Sequence, residues 1–214
     1  MAKRNPFSHL YLNKEKKVQG SLQPSTASKK VLLVLFILFL LLFPKYAPWE
    51  PAYMPSDTLT HKIFTLYFFI VNQTLGIVHE SGHGVCYILQ CPEFITVMNG
   101  TVFQLLFPGL IAYYYHKKGS QFAAMIALFF LGFSLQYTAW YLSTAHEGLI
   151  LPAHKSFLGV DAYHDFNYML NAMGLLAYES LISGLTKFVA YVIMIVAVVG
   201  MFFDAFPNRG KHHR

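Results

Sequence analysis

The sequence predicts an all-α, multi-span integral membrane bundle of about six helices, and three observations carry that prediction. Of 214 residues, 55% are hydrophobic, 17% aromatic and only 12% charged, unlike an ordinary soluble domain. The charges avoid the middle of the chain. Lys3, Arg4, Lys14, Lys16, Lys17, Lys29 and Lys30 crowd its start, and Arg209, Lys211 and Arg214 close it. Between these tails lie long apolar segments, so the net charge of +6 belongs to the tails and marks the cytoplasmic side of a membrane. No basic patch is interleaved with aromatics. The expected partner is therefore the lipid bilayer and no nucleic acid. The organisation that follows is a basic, flexible cytoplasmic arm over 1–28, a membrane domain over 29–206 and a basic tail over 207–214.

Taken in order, the polar arm gives way to Val31–Phe43, a pure run of Val, Leu, Ile and Phe. It is short for a span unless it borrows residues up to Trp49. A secretory leader is the competing reading, but the thirty residues before the run and the lack of a small-x-small cleavage site speak against it. Pro44, Pro48, Pro51 and Pro55 predict a stiff external loop, with Tyr46 and Trp49 at interfacial depth.

A second span is expected from Thr60 to Gln90, stopped by Pro92. Asn72, Gly76, His79, His83 and Tyr87 recur along it at helical spacing and form one polar seam on an apolar cylinder. Such a seam must face protein or a water-filled cavity, and its depth puts the site in the bilayer near the cytoplasmic side. Glu93–Gly100 reads as a break with a turn at Asn99-Gly100. Thr101–Tyr115 is apolar but interrupted by Pro108-Gly109, so it is a kinked span or a re-entrant element. Lys117-Lys118-Gly119-Ser120 is a tight connection into a span over Gln121–Thr144. A polar loop over 145–164 follows. Asp165 then reads as the N-cap of a helix from Phe166 to about Ser183, seamed by Asn167, Asn171, Gly174 and Tyr178. Ser183-Gly184 turns into a last span, Leu185–Phe206. Six crossings bring both tails inside but leave Lys117 and Lys118 outside. If 101–115 is re-entrant and 166–183 does not cross, all three basic groups lie inside.

The chemistry centres on His79-Glu80-Ser81-Gly82-His83. Histidines four apart on a helix project from the same face and can share one zinc ion. Glu80, next to the first of them, is placed to act as a general base. A carboxylate at membrane depth costs roughly 2.5–3.5 kcal/mol, so it needs a reason to be there. A catalytic zinc requires a third protein ligand, and His-Glu-x-x-His is not continued here by a nearby histidine, since residues 86 and 89 are Cys and Leu. His164 and Asp165 are the leading candidates, with Asp161, His146, Glu147, His154 and Glu179 behind them. Structural roles compete at each: Asp165 as a helix cap, His164 as an interfacial loop residue. Cys86 and Cys91 predict neither a disulfide nor a zinc knuckle.

The stretch from 60 to 180 resembles the site-2 protease family of intramembrane zinc metalloproteases, on its His-Glu-x-x-His within a membrane helix and an acidic residue on a later helix. The resemblance implies zinc on His79, His83 and Asp165 (or His164), water activation by Glu80, and a transmembrane or membrane-proximal protein substrate. A substrate strand would lie along Asn99 to Gln104, although a turn and a helix-facing amide explain these two equally well. The family's usual Asn-x-x-Pro-x-x-x-x-Asp-Gly is absent, and His164-Asp165-Phe166-Asn167 stands in its place. A non-enzymatic metal-binding or metal-transporting protein, or a structural brace of polar residues, would use the same cluster. Peptide hydrolysis in turn requires a water path along the Asn72–Tyr87 seam.

Overall fold

A computed structural model describes residues 24–48, 50, 53, 56–151 and 162–207. The expected all-α bundle is what it contains: α1 (Thr26–Tyr46), α2 (Leu59–Leu89), α3 (Glu93–Lys117), α4 (Gln121–Ser143), α5 (Asp165–Ala172) and α6 (Glu179–Ala205). Among the described residues the one departure is a two-stranded antiparallel ribbon, β1 (Ile150–Leu151) and β2 (Ala162–Tyr163), which pairs Ile150 with Tyr163. The chain is a membrane protein by the length and composition of four stretches, Thr26–Tyr46, Glu93–Lys117, Gln121–Glu147 and Leu176–Ala205, each long and apolar enough to cross a bilayer. The helix expected as the second span does form, as α2, but it is not among these four.

Four boundaries differ from the sequence expectation, the first at Pro44, which is expected in the external loop and lies inside α1. Residues 93–100 are not a break, since α3 runs unbroken from Glu93 through Asn99-Gly100 and past Pro108. Pro108 lacks the N–H that would bond the Gln104 carbonyl one turn back, and Ser134 Oγ instead donates to that carbonyl at 3.5 Å. The helix expected over 166–183 stops at Ala172, because Gly174 takes φ +68°, a left-handed conformation that a helix cannot continue through. Ser183 and Gly184 then lie inside α6 and make no turn.

Packing sets the two ends of the bundle. At one end Lys29 Nζ pairs with Asp204 at 2.6 Å and lies over the Phe122 ring, so the starts of α1 and α4 meet the end of α6. An apolar cluster of Leu33, Phe122, Phe129, Met194, Ala197 and Met201 fills this half. At the other end the start of α3 and the short α5 close over the end of α4, with Val97, Tyr141, Leu142, Phe166 and Leu170 in one buried cluster. Between these points α4 runs twenty residues from Phe122 to Tyr141, about 28 Å of helix. The candidate site lies at this second end. α2 reaches it past the other helices: Phe64 stacks on Tyr46 at the close of α1, and Phe68 stacks on Phe133 of α4.

Candidate metal centre

The two motif histidines do share a face of α2, with ring centroids 4.8 Å apart. Each is held by its Nδ1. The His79 Nδ1–H donates to Gln104 Oε1 at 3.1 Å, and the His83 Nδ1–H donates to the Thr96 carbonyl at 2.8 Å. Gln104 is itself fixed, its Nε2 donating to Ser134 Oγ at 3.1 Å and Thr138 Oγ1 at 3.4 Å. Partners of this kind set the tautomer and orient the ring, and they leave each Nε2 with its lone pair directed inward.

Asp165 meets those lone pairs. Its Oδ2 lies 2.7 Å from His79 Nε2 and 3.4 Å from His83 Nε2. Both Nδ1 protons being committed elsewhere, two imidazole nitrogens and a carboxylate oxygen face one another as acceptors. Such a set needs a shared cation, a proton or a metal, to be stable in a buried site. The three ligand atoms lie within 4.8 Å of one another, and the group could hold a metal ion. Two imidazoles and one carboxylate form a donor set that suits zinc. Burial alone would push the Asp165 carboxyl up, but with a proton shared between it and the imidazoles the hydrogen bonds with His79 and His83 outweigh burial and hold the pKa below the ordinary value.

Two glycines make room for this geometry. A Cβ on Gly82 would run into the Asn99 carbonyl, so α2 and α3 touch backbone to backbone, and Asn99 Nδ2 donates to the Gly82 carbonyl at 2.6 Å. A Cβ on Gly100 would lie 2.5 Å from His83 Nε2 and 2.7 Å from His79 Nε2. The space in front of both ligand nitrogens therefore exists because residue 100 has no side chain.

α5 delivers the aspartate. The ribbon leads into it, with His164 N–H donating to the Leu149 carbonyl at 2.8 Å and Asp165 N–H donating to Tyr141 Oη at 3.1 Å. The helix cap falls on His164, without a side-chain cap bond, and Asp165 is the first helical residue, not the cap expected from sequence. Of the two leading candidates for third ligand, the structure brings Asp165 to the histidines and not His164. His164 is fully buried, stacks on Tyr141 with ring centroids 4.5 Å apart, and shares a 3.1 Å hydrogen bond between Nε2 and Thr144 Oγ1. Its burial lowers its pKa and favours the neutral ring.

The other expected residues are placed as follows. Glu80 is half-buried on α2 within electrostatic reach of His83 and Tyr141. Gln104 is buried and spends its amide on His79 and α4, and Asn99 pins α3 to α2. These contacts give both a positioning role. His146 and Glu179 pair with each other. Glu147 is exposed, and Asp161 and His154 lie outside the described residues. Of the second expected seam, Asn167 Nδ2 donates to the Ala145 carbonyl and Asn171 Nδ2 to Asn167 Oδ1. Sequence reasoning missed Thr96, Gly100 and Tyr141. Only Gly100 left a trace, in an Asn-Gly pair whose local meaning is a turn.

No protein-family model matches the chain, and neither a curated protein nor a solved structure matches it. Fold and site together define an α-helical membrane protein with a buried two-histidine, one-aspartate cluster that could hold a metal ion.

Proposed function

We propose that the protein is a multi-pass membrane zinc metalloprotease that hydrolyses peptide bonds in or near the bilayer, in the manner of the site-2 protease family it resembles. One observation carries this reading: two Nε2 atoms from a His-Glu-x-x-His helix converge on one carboxylate oxygen, with Glu80 adjacent in the chain. The ligands in this reading are His79 and His83 through Nε2 and Asp165 through its carboxylate. When bound, zinc supplies Lewis acidity toward a scissile carbonyl and toward water.

Everything else is work for the chain's own side chains. Gln104 and the Thr96 carbonyl hold the imidazoles in the tautomer that binds. Gly100 keeps the approach to both rings open. Glu80 takes a proton from the attacking water and delivers it to the leaving amine as the C–N bond breaks. An apolar cavity of about 440 Å³, lined by Val71, Leu75, Phe107, Pro108, Phe130 and Phe133, begins one turn of α2 from His79 and gives room for an apolar substrate side chain. The substrate is a transmembrane or membrane-proximal protein, unwound at the cleaved bond because a helical carbonyl is occupied by its own hydrogen bond. We place the protein in the cell inner membrane with its N-terminus cytoplasmic.

The test is Glu80→Gln. It retains zinc, measured by elemental analysis of the purified protein, and loses cleavage of a membrane-anchored test substrate by about 10²–10⁴-fold. Wild-type cleavage in this variant removes Glu80 from the mechanism. Purified wild type without any transition metal removes the enzyme and leaves a polar brace. A zinc-bearing wild type that cleaves nothing is a metal-binding or metal-transporting protein instead.

A further inference from the structure

Most of the positive charges of this chain lie in segments that join one end of the fold, and the candidate metal centre is at the other. Seven of the 16 Lys and Arg residues precede residue 31, three follow residue 208, and Lys117-Lys118 supply two more. The first and last groups join the bundle at the start of α1 and the end of α6. The Lys29–Asp204 pair and the Lys30 cation over the Phe206 ring, 4.7 Å from its centroid, show these two points to be adjacent. Lys29 also lies over Phe122, four residues beyond Lys118, so the α3–α4 turn belongs to the same end. Of the four remaining lysines, Lys155 lies outside the described residues; Lys45, Lys62 and Lys187 belong to the other half, where Lys187 is neutralised by Glu50 at 2.7 Å.

The four stretches apolar enough to cross alternate in direction. α1 leaves the lysine end, α3 returns to it, α4 leaves again, and α6 comes back. α2 begins beside the far end of α1, where Tyr53 Oη and His61 Nε2 lie 3.4 Å apart and Tyr46 stacks on Phe64. It finishes where α3 starts, at the end of the bundle closed by Tyr141 and Phe166. Both termini of the helix that carries the histidines therefore lie away from the clustered lysines. Segments on the cytoplasmic side carry the excess of basic residues that flank spans.

We infer that the chain crosses the membrane four times, that α2 does not cross, and that the His79/His83/Asp165 centre opens to the non-cytoplasmic side. This places all the clustered lysines inside, which six crossings do not. It also reverses the sidedness expected from the sequence. If the site is a protease, as proposed above, its substrate is a membrane-anchored polypeptide that presents an unwound segment at the outer leaflet. Water and the transferred proton then come from that side.

The experiment needs neither metal nor activity, so its outcome is separate from that of the protease reading. In the full chain with Cys86→Ala and Cys91→Ala, single cysteines are introduced as Glu93→Cys in the α2–α3 junction or Lys118→Cys in the α3–α4 turn, both exposed positions. Intact cells are treated with a membrane-impermeant maleimide, before and after permeabilisation. The expected result is that Glu93→Cys labels equally in both conditions and Lys118→Cys only after permeabilisation. Lys118→Cys labelled from outside, or Glu93→Cys reached only after permeabilisation, overturns the inference. A position that resists label even in detergent is replaced by its neighbour, Gln90→Cys or Ser120→Cys, and read the same way. On the unsubstituted chain, a C-terminal reporter active only in the cytoplasm must be active, and its silence beside an active exported reporter also overturns the assignment.

Discussion

Two helix pairs in this bundle use glycine to approach closely, and they fill the resulting space in opposite ways. Where α4 meets α6, Gly132 faces Met194 and the Ala190 carbonyl, and Gly200 faces Met125. The space is taken by flexible thioether chains, and Ser183 Oγ donates across the seam to the Ala139 carbonyl at 2.7 Å. Where α2 meets α3, Gly82 faces the Asn99 backbone and Gly100 faces two imidazoles. The same device makes a dry seam in one place and a ligand pocket in the other. In lipid, helices associate through close packing and interhelical hydrogen bonds, since hydrophobic burial gives little net drive. The α4–α6 seam therefore carries stability, and the α2–α3 seam gives up some packing to hold polar groups.

The contrast breaks most completely at the ligands. Asp165→Ala and His79→Ala are expected to lose essentially all bound zinc, while His164→Ala keeps it, because His164 reaches Thr144 and Tyr141 and not the histidine pair. Elemental analysis of detergent-purified protein decides this. Zinc loss in His164→Ala with full occupancy in Asp165→Ala would reverse the assignment. Gly100→Ala is the next largest effect. Alanine favours a helix interior by about 1 kcal/mol over glycine, so α3 and the helical content persist. The added methyl, 2.5 Å from His83 Nε2, displaces at least one ring, and most of the metal goes with it. Circular dichroism beside zinc content separates this outcome from unfolding.

A smaller effect is expected one step out from the ligands. Gln104→Ala releases His79 Nδ1 and the contacts with Ser134 and Thr138. Loss of such an orienting partner typically weakens metal affinity 10–100-fold without abolishing it. Competition against a chelator of known affinity measures the change. An unchanged affinity would mean that the His79 ring is positioned by packing alone.

The sequence made the candidate ligands legible and left their supports hidden, for reasons that differ by residue. His79 and His83 carry side chains whose four-residue spacing has one strong chemical meaning on a helix. Asp165 could be listed only beside His164, because neighbouring residues in a loop give no sign of which one points inward. Thr96 holds His83 through its carbonyl, a group that every residue has, so no side-chain pattern reveals it. Asn99-Gly100 and Ser183-Gly184 were expected as turns because glycine's local preference is for turns. Within long helices held by tertiary packing that preference loses, and at Gly100 the missing side chain serves the neighbouring rings. The true break at Gly174 was read as part of a seam, since helical periodicity alone cannot detect a positive φ.

The finest test of the comparison lies within the α4–α6 seam, where the two glycines face different kinds of neighbour. A methyl at residue 132 would sit 2.6 Å from Met194 Cγ and 2.9 Å from the Ala190 carbonyl oxygen. The methionine can turn aside, but the carbonyl belongs to the backbone of α6 and moves only if the helices part. Overpacking of this kind costs about 1–3 kcal/mol, against a gain of about 1 kcal/mol in helix propensity. At residue 200 the crowded atoms all belong to the Met125 side chain, which can be repacked. Gly132→Ala should therefore lower the midpoint of unfolding in detergent, whereas Gly200→Ala should leave it nearly unchanged. Both should bind zinc as the parent does, since neither methyl approaches α2 or α3. Equal destabilisation at the two positions would mean that the α4–α6 spacing is set by something other than the Gly132–Ala190 approach.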